Sequence, residues 1–251
     1  MNILRRLWSI WFGLVFFVAS VLATPCHHVL LRFHSRRTHR MAHQVNVGWG
    51  WLILTFGLMK VRRHWQGNVP RDGTYVFVAN HRSYLDIPVT HLALPFFFRY
   101  IGKAELARMP LFGFMYSRLH ILVDRSSQSD RSRSLHQADE RLQAGDNIFI
   151  FPEGTSRHPS PRLLRDFKDG AFVLAIQNRT PIVPVTIINS SRALSNDGRF
   201  LMRPFVTIQV YIDAPVDTTG YDLSQVEVLK ARIHAQIQAN LDAFYAQSSK
   251  G

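Results

Sequence analysis

Two short motifs bring together residue types that suit acid–base chemistry and anion binding. Residues 80–86 read NHRSYLD, and residues 151–157 read FPEGTSR. In the first motif Asp86 follows His81 by five residues, so its carboxylate can reach one ring nitrogen while the other nitrogen accepts a proton. This spacing predicts that His81 is a general base and that Asp86 orients it. The same residues also suit a helix-capping cluster around a structural histidine.

The second motif combines a glycine turn, hydroxyl side chains and an arginine. A turn of this kind can present backbone N–H groups and a guanidinium to a phosphate. We therefore expect Gly154, Thr155 and Arg157 to bind an anionic group, although an ordinary turn has the same composition. Three further cations that follow other predicted strands are candidate anion ligands or solvated surface charges: Lys103, Arg125 and Lys168.

The sequence offers no residue that is placed to act as a covalent nucleophile. A Gly-x-Ser-x-Gly motif is absent, and the single cysteine, Cys26, lies in an apolar segment. One cysteine also excludes an internal disulfide framework and a multi-cysteine metal site. The predicted chemistry is therefore direct attack by a substrate hydroxyl whose proton His81 removes, without a metal or a bound cofactor.

The elements that must position these motifs alternate between strands and helices, which is typical of an α/β domain. Apolar runs predict strands at residues 74–79, 98–101, 121–123, 147–151, 182–188 and 206–212. Helical spacing predicts helices at residues 84–94, 105–118, 135–142 and 169–178, and a last helix that starts with a capping box of Ser224 and Glu227. Both motifs directly follow predicted strands, where open α/β sheets place their sites. The fold class is thus a single α/β domain with a mixed, largely parallel sheet flanked by helices.

The N-terminal region predicts contact with a membrane. Residues 7–24 carry no charge and would form a helix about 27 Å long, close to the ~30 Å thickness of the hydrocarbon core. A second apolar stretch, residues 47–59, is too short to span and contains two tryptophans, which suit the interface. A cleaved signal peptide and a spanning helix are alternatives, but four arginines between residues 32 and 40 oppose spanning. We favour a helical pair that dips into one leaflet, which divides the chain into a membrane-docking region, residues 1–64, and a catalytic domain, residues 65–251.

The composition narrows the possible partners. Lys and Arg outnumber Asp and Glu by 30 to 17, a net charge of +13, which predicts a phospholipid surface, a nucleic acid or phosphorylated substrates as partners. A solvated basic surface without an anionic partner is the alternative that the charge alone leaves open. The 47% of apolar and 19% of charged residues exclude a disordered chain. No nucleic-acid recognition motif is present, so nucleic acid is not expected as a partner. A basic nucleic-acid-binding module on a membrane tether is the remote alternative.

Taken together, the motifs resemble those of the glycerolipid acyltransferase family. NHRSYLD resembles the Asn-His-x-x-x-x-Asp block of that family and FPEGTSR its Phe-Pro-Glu-Gly-Thr block, with 72 residues from His81 to Glu153. Residues 121–125 (ILVDR) look like the family's substrate-binding strand, and residues 167–170 and 182–185 are similar to its fourth block. Four blocks in the family's order make a chance match untenable.

Within the family, the closest resemblance is to the 1-acylglycerol-3-phosphate acyltransferases. The resemblance implies transfer of a fatty acyl group from acyl-CoA or acyl carrier protein to lysophosphatidic acid, with His81 as base and Asp86 as its partner. Another lysolipid, such as a lyso-ornithine lipid, is an alternative acceptor. The N-terminal pair resembles the family's membrane-docking element, and the expected location is the cytoplasmic face of the inner (plasma) membrane. The residues implied at the acceptor's glycerol phosphate are Arg125, Glu153, Gly154 and Arg157, to which charge and position add Lys103 and Lys168.

Overall fold

The computed structural model describes residues 2–124, 126–157, 160, 163–197 and 200–248. In that part of the chain, the strands form one seven-stranded sheet in the order β1-β7-β6-β2-β5-β3-β4. The strands are β1 (Lys60–Trp65), β2 (Val76–Ala79), β3 (Phe98–Lys103), β4 (Ile121–Val123), β5 (Asn147–Ile150), β6 (Ile182–Ile188) and β7 (Thr207–Ile212). The helices are α1 (Asn2–Leu30), α2 (Arg36–Phe56), α3 (Asp86–Ala93), α4 (Gly113–Leu119), α5 (Gln128–Gln143), α6 (Gly170–Gln177), α7 (Ser190–Ala193) and α8 (Val226–Ser248).

The five strands from β6 to β4 are parallel, so their carboxyl ends lie at one edge of the sheet. Strand β7 is antiparallel to β6, and β1 is parallel to β7, which makes the sheet mixed. Side chains alternate between two cores along each buried strand. In β2, Phe77 packs with residues of α1, α2 and α3, whereas Val76 packs on the other face with residues of α5, α6 and α8. The predicted α/β class with a mixed, largely parallel sheet is confirmed.

All six predicted strands are present, but β1 had no sequence prediction. Its residues read KVRRHW, and most of them are exposed because the strand lies at the edge of the sheet. Charged side chains on an edge strand prevent pairing with other chains, and they also conceal the strand from a search for apolar runs. The suggested boundary between residues 64 and 65 falls inside this strand.

The prediction of one continuous helix at residues 105–118 is wrong. The segment forms a 3₁₀ turn, Ala104–Arg108, and then α4. Met109 is extended, with ψ of 132°, because the ring of Pro110 disfavours a helical conformation in the residue before it. Leu111 follows with a left-handed φ of 69°, which is outside the helical region.

The capping box of the last helix lies two residues earlier than predicted. Asp222, not Ser224, is the capping residue, and its carboxylate accepts a hydrogen bond from the Ser224 backbone N–H at 2.8 Å. The Gln225 side chain accepts in return from the Asp222 backbone N–H at 3.1 Å. A short 3₁₀ turn, Leu223–Gln225, therefore precedes α8 and takes the cap that the sequence pattern assigned to the α-helix itself.

A buried ionic network fixes the start of α2 to the sheet. Arg99 on β3 donates from Nε to Asp146 Oδ2 at 2.8 Å and from a terminal nitrogen to the Leu119 carbonyl at 2.7 Å. Its other terminal nitrogen donates to His39 Nδ1 on α2 at 2.9 Å. Asp146 accepts a further hydrogen bond from Arg36 Nε at 3.1 Å. These bonds make α2 an integral part of the domain as well as half of the N-terminal pair.

Helix α1 is the helix in the described chain that has the length and apolar composition to cross a membrane. The most apolar stretch of 18 residues within residues 3–30 has a mean hydropathy of 2.0, and only 17% of that stretch is buried. A signal sequence or a core helix can meet the same two criteria, but a core helix would be mostly buried. The exposed apolar side chains include Leu7, Ile10, Leu14, Phe17, Val18, Val21 and Leu22.

Three histidines are buried between α2, α3 and the sheet. The ring of His43 on α2 lies 4.7 Å from the ring of His91 on α3, and Phe98 of β3 contacts both rings. Burial lowers the pKa of His43 to about 4, and it lowers the pKa of His91 and of His120 well below the ordinary value. The three rings are therefore neutral parts of the core at neutral pH.

We predict that acid destabilises the fold through His43. Its folded-state pKa lies below the ordinary 6.5, so the unfolded chain binds the proton first as the pH falls. The contribution of His43 to the free energy of unfolding is fully present above about pH 6.5. It is lost as the pH falls towards about 4, by up to ~1.4 kcal/mol per pH unit. His43→Phe removes the group and should reduce the loss between pH 7 and pH 5 by about 2 kcal/mol in urea unfolding.

The matched control for this experiment is His136→Phe, because the side chain of His136 is 74% exposed on α5. The control should keep the pH dependence of the wild type. An unchanged pH dependence in His43→Phe would show that the buried ring does not couple protonation to folding.

Candidate active site

The two sequence motifs lie side by side at the carboxyl edge of the sheet, because they follow the adjacent parallel strands β2 and β5. Asn80 fixes the end of β2 to the neighbouring strand β6. Its amide nitrogen donates to the Ile187 carbonyl at 2.8 Å, and its amide oxygen accepts from the Ile187 N–H at 2.7 Å. The first motif therefore begins at the end of a strand that pairs with β5 on one side and with β6 on the other.

The side chains of His81 and Asp86 form the predicted pair. The distance from His81 Nδ1 to Asp86 Oδ2 is 2.8 Å, and the carboxylate is fully buried. Since a carboxylate only accepts hydrogen bonds, Nδ1 is the protonated nitrogen of the neutral ring and Nε2 carries a free lone pair. This tautomer is the one that a general base requires.

Asp86 is held in turn by the backbone of the loop that precedes it. The same Oδ2 atom accepts hydrogen bonds from the backbone N–H of Arg82 at 2.6 Å and of Ser83 at 2.9 Å. Asp86 is also the first residue of α3, where the aligned peptide dipoles favour a negative charge. Both contacts stabilise the ionised carboxylate in a position that water cannot reach.

The imidazole of His81 is packed on one face and partly open. It stacks on the Phe151 ring with a centroid distance of 4.2 Å and an interplanar angle of 21°. Its side chain keeps 18% of its surface exposed, whereas Asp86 has none. The ring is therefore immobilised by the second motif and still accessible to a substrate.

Glu153 joins the two motifs from inside the protein. One carboxylate oxygen accepts from the His81 backbone N–H at 2.8 Å, and the other accepts from the Arg165 N–H at 3.0 Å. Burial raises the pKa of Glu153, while the Arg82 guanidinium and these two N–H groups act in the opposite direction. The resemblance placed Glu153 at the acceptor. Its side chain is fully buried and bonded to protein donors, an arrangement suited to positioning His81.

Arg82 is a component of the site that sequence reasoning missed. Its side chain is buried, and Nε lies 3.9 Å from a Glu153 oxygen. The terminal nitrogens donate to the backbone carbonyls of Ser160, at 2.6 Å, and of Leu163. Arg82 thereby ties the first motif to the loop that follows the second. The position of this arginine between the histidine and the aspartate of the first motif is the sequence feature that could have indicated its role.

The predicted cations are not all in one place. The side chain of Lys168 lies over the Gly154 turn, where φ is +70° and a Cβ on the glycine would sit 3.0 Å from Lys168 Cε. Arg157 and Lys103 are exposed, and Lys103 ends β3 beside the end of β4. Arg125 lies outside the described residues, so its predicted role stays a prediction. Thr155 accepts a hydrogen bond from the Arg157 backbone N–H at 3.2 Å, which shapes the turn.

A basic cleft of about 980 Å³ adjoins this region. Arg165 and Arg192 line it in addition to Arg82 and Arg157, and neither was predicted from the sequence. Arg192 belongs to α7, which follows β6, so the cleft lies at the same carboxyl edge as the two motifs. Four arginines in the lining of the cleft give it a chemistry that suits an anionic ligand.

Comparison with known proteins identifies the family of this chain. Residues 60–188, about half of the chain, match the model of the Acyltransferase family. The chain therefore belongs to the acyltransferase family, and the resemblance inferred from the motifs is confirmed. The matched region contains every strand from β1 to β6 and both motifs.

Several similar proteins have the name 1-acyl-sn-glycerol-3-phosphate acyltransferase. A Chlamydomonas reinhardtii 1-acyl-sn-glycerol-3-phosphate acyltransferase is 31% identical over 213 residues, covering 83% of this chain and 61% of the relative. A Haemophilus influenzae protein of the same name is 26% identical and covers 84% of this chain and 88% of the relative. The crystal structure of the 1-acyl-sn-glycerophosphate (LPA) acyltransferase from Thermotoga maritima shares the fold, with a TM-score of 0.80, 22% identity and 98% coverage of both chains. The chain spans only 60–65% of the length of the algal and chloroplast relatives.

We predict that Glu153→Gln weakens both the fold and the activity. A glutamine keeps one acceptor oxygen but replaces the other by an NH₂ group, so one of the two backbone N–H donors loses its acceptor, and an unsatisfied buried group costs about 1–3 kcal/mol. The melting temperature should fall. Activity should also fall at temperatures where the variant is folded, because the loop that positions His81 is held by fewer hydrogen bonds and lacks the negative charge beside Arg82.

The matched control is Glu140→Gln on α5, whose side chain is 62% exposed. An exposed ion pair contributes at most about 1 kcal/mol, so this variant should behave like the wild type. Wild-type stability and activity in Glu153→Gln would contradict the positioning role of Glu153.

Proposed function

We propose that the protein transfers a fatty acyl group from acyl-CoA or acyl carrier protein to the free hydroxyl of lysophosphatidic acid, giving phosphatidic acid. The observation that carries this proposal is the His81–Asp86 pair, in which a 2.8 Å hydrogen bond engages Nδ1 and leaves Nε2 available at a partly exposed site. Membership of the acyltransferase family supports the reaction class. The names of the relatives from Chlamydomonas reinhardtii and Haemophilus influenzae support the acceptor.

In the proposed reaction, His81 Nε2 accepts the proton of the acceptor hydroxyl as its oxygen attacks the thioester carbonyl. The imidazolium that forms is stabilised by the buried carboxylate of Asp86, which stays ionised. Collapse of the tetrahedral intermediate breaks the carbon–sulfur bond, and the imidazolium returns the proton to the departing thiolate. The products are the ester and the free thiol of the carrier, and His81 ends in its starting state. No metal or cofactor takes part in this sequence of steps.

The phosphate of the acceptor is assigned to the cationic side of the site. The side chain of Lys168 lies over the Gly154 turn, which directly follows Glu153, the residue that holds His81 in place, and the exposed Arg157 lines the adjoining basic cleft. A guanidinium and an ammonium bind phosphate oxygens through charge-assisted hydrogen bonds. Arg125 and Lys103 are proposed as further ligands, because β3 and β4 end at the same edge of the sheet.

Attachment to a membrane would supply the lipid acceptor. The helices of residues 1–64 are proposed to lie on the anionic leaflet at the cytoplasmic face of the inner (plasma) membrane, and residues 65–251 to carry the transfer site. The exposed apolar side chains of α1 support this arrangement. The net charge of +13 favours an anionic surface.

We predict that His81→Ala abolishes acyl transfer by the full chain. General-base catalysis contributes about 10²–10⁴-fold, so the rate should fall by at least two orders of magnitude. The measurement is transfer from acyl-CoA and from acyl carrier protein to a panel of lysolipids in membrane fractions. His136→Ala, at an exposed position of α5, is the control and should keep full activity.

The panel separates the parts of the proposal. Transfer to lysophosphatidic acid that depends on His81 would support the acceptor and the base together. Transfer only to another lysolipid, such as a lyso-ornithine lipid, would keep the mechanism and overturn the acceptor. Full activity of His81→Ala would contradict the base assignment.

A further inference from the structure

Residues 200–205, between α7 and β7, expose large apolar side chains at the surface. Phe205 is 80% exposed and Phe200 is 60% exposed. Both have left-handed backbone conformations, with φ of 60° and 48°, as does Leu58, whose carbonyl is bonded to Phe205, with φ of 50°. Non-glycine residues seldom adopt this conformation. The fold therefore holds these apolar side chains outward at a conformational cost.

The segment of residues 200–205 is continuous with the apolar surface of the N-terminal pair. The Met202 backbone N–H donates to Ser9 Oγ on α1 at 2.9 Å, and the Phe205 N–H donates to the Leu58 carbonyl at 2.8 Å. Leu58 lies two residues after the end of α2, and Trp11 of α1 donates from its indole nitrogen to the Phe56 carbonyl at 3.0 Å. Exposed apolar side chains next to these bonds are Leu7, Ile10, Trp11, Phe56 and Leu58.

The charge around this surface points to an anionic lipid partner. Residues 1–71 contain ten Lys and Arg and no Asp or Glu. On β1, which starts two residues after Leu58, Lys60, Arg62 and Arg63 are exposed, and Arg203 is exposed within the segment itself. Apolar side chains that project beyond a basic rim suit insertion below anionic headgroups, because the cations remain in the headgroup layer.

The same segment is tied to the catalytic motif. The ring of Phe200 lies parallel to that of Tyr84, with a centroid distance of 5.8 Å and an interplanar angle of 1°. Tyr84 stands between His81 and Asp86 in the sequence and is 50% exposed. Next to Tyr84, Ser83 Oγ donates to the Leu194 carbonyl at 2.7 Å, and Leu194 pairs with Met202 in a β-bridge. A surface that holds Phe200 is therefore also close to the His81 loop.

We propose that residues 200–205 form a second membrane-contact segment, in which Phe205 and Phe200 enter an anionic leaflet beside α1 and bring the His81 loop to the lipid surface. This inference rests on the membrane attachment that is part of the proposed function. It adds that the catalytic domain itself enters the leaflet, at the side where Tyr84 meets Phe200. A lipid acceptor then has a short path from the leaflet to the catalytic base.

The test measures immersion depth with a nitroxide label on single cysteines. In the full chain with Cys26→Ser, a label at Phe205→Cys is compared with one at Val228→Cys on α8, because Val228 is an apolar residue 59% exposed elsewhere. The protein is reconstituted in vesicles of phosphatidylglycerol and phosphatidylcholine. The label at position 205 should lose accessibility to a water-soluble nickel complex and gain accessibility to oxygen, whereas the label at position 228 should stay accessible to nickel.

Equal accessibility of the two positions to the nickel complex would overturn the proposal, as would immersion of both. Protection at position 205 in detergent-free solution without vesicles would assign the surface to a protein partner and would also overturn it. The readout does not depend on catalysis. Loss of the proposed acyl transfer would thus leave the depth result intact, and a water-exposed position 205 would leave the His81 chemistry intact.

Discussion

Three hydrogen bonds that converge on one carboxylate oxygen define the centre of this protein. Asp86 Oδ2 accepts from His81 Nδ1 and from the backbone N–H groups of Arg82 and Ser83, at 2.6–2.9 Å. An ionised carboxylate without surface exposure is costly unless such donors compensate it. The three donors all come from one loop, so the loop conformation and the position of the Asp86 carboxylate depend on each other. The orientation of the imidazole follows from this mutual dependence.

The surrounding architecture holds that loop in register from both sides. On the β6 side, Asn80 bonds reciprocally to Ile187. On the β5 side, Glu153 accepts from the His81 N–H, and Phe151 stacks on the ring. The parallel sheet thus brings two motifs 72 residues apart into direct contact. Buried groups therefore hold the loop that carries His81.

The local part of this arrangement was predictable from the sequence, and the non-local part was not. His81 and Asp86 lie five residues apart at a strand-to-helix junction, so spacing alone brings their side chains within reach. The inward role of Glu153 depends on the adjacency of β2 and β5, which no local pattern encodes. The buried Arg99–Asp146 pair likewise needed the register of β3 with β5. A charged sequence concealed β1, since at the sheet edge its side chains face solvent.

Irregular structure limited the prediction in a second way. Pro110 divides the expected helix of residues 105–118 because it restricts the residue before it. The apolar character of residues 200–205 becomes informative only when the fold shows that Phe200 and Phe205 are exposed next to α1. Tertiary context, rather than composition, identifies such a surface.

The most direct test of the central claim is the pH dependence of kcat/KM for Asp86→Asn, measured with the purified full chain and compared with the wild type. Asparagine can keep the backbone hydrogen bonds, but it neither stabilises an imidazolium nor enforces protonation at Nδ1. We expect kcat/KM to fall by about 10²–10⁴-fold at every pH, while the melting temperature shows that the variant is folded. Wild-type kcat/KM in a folded Asp86→Asn variant would contradict the claim that Asp86 makes His81 the catalytic base.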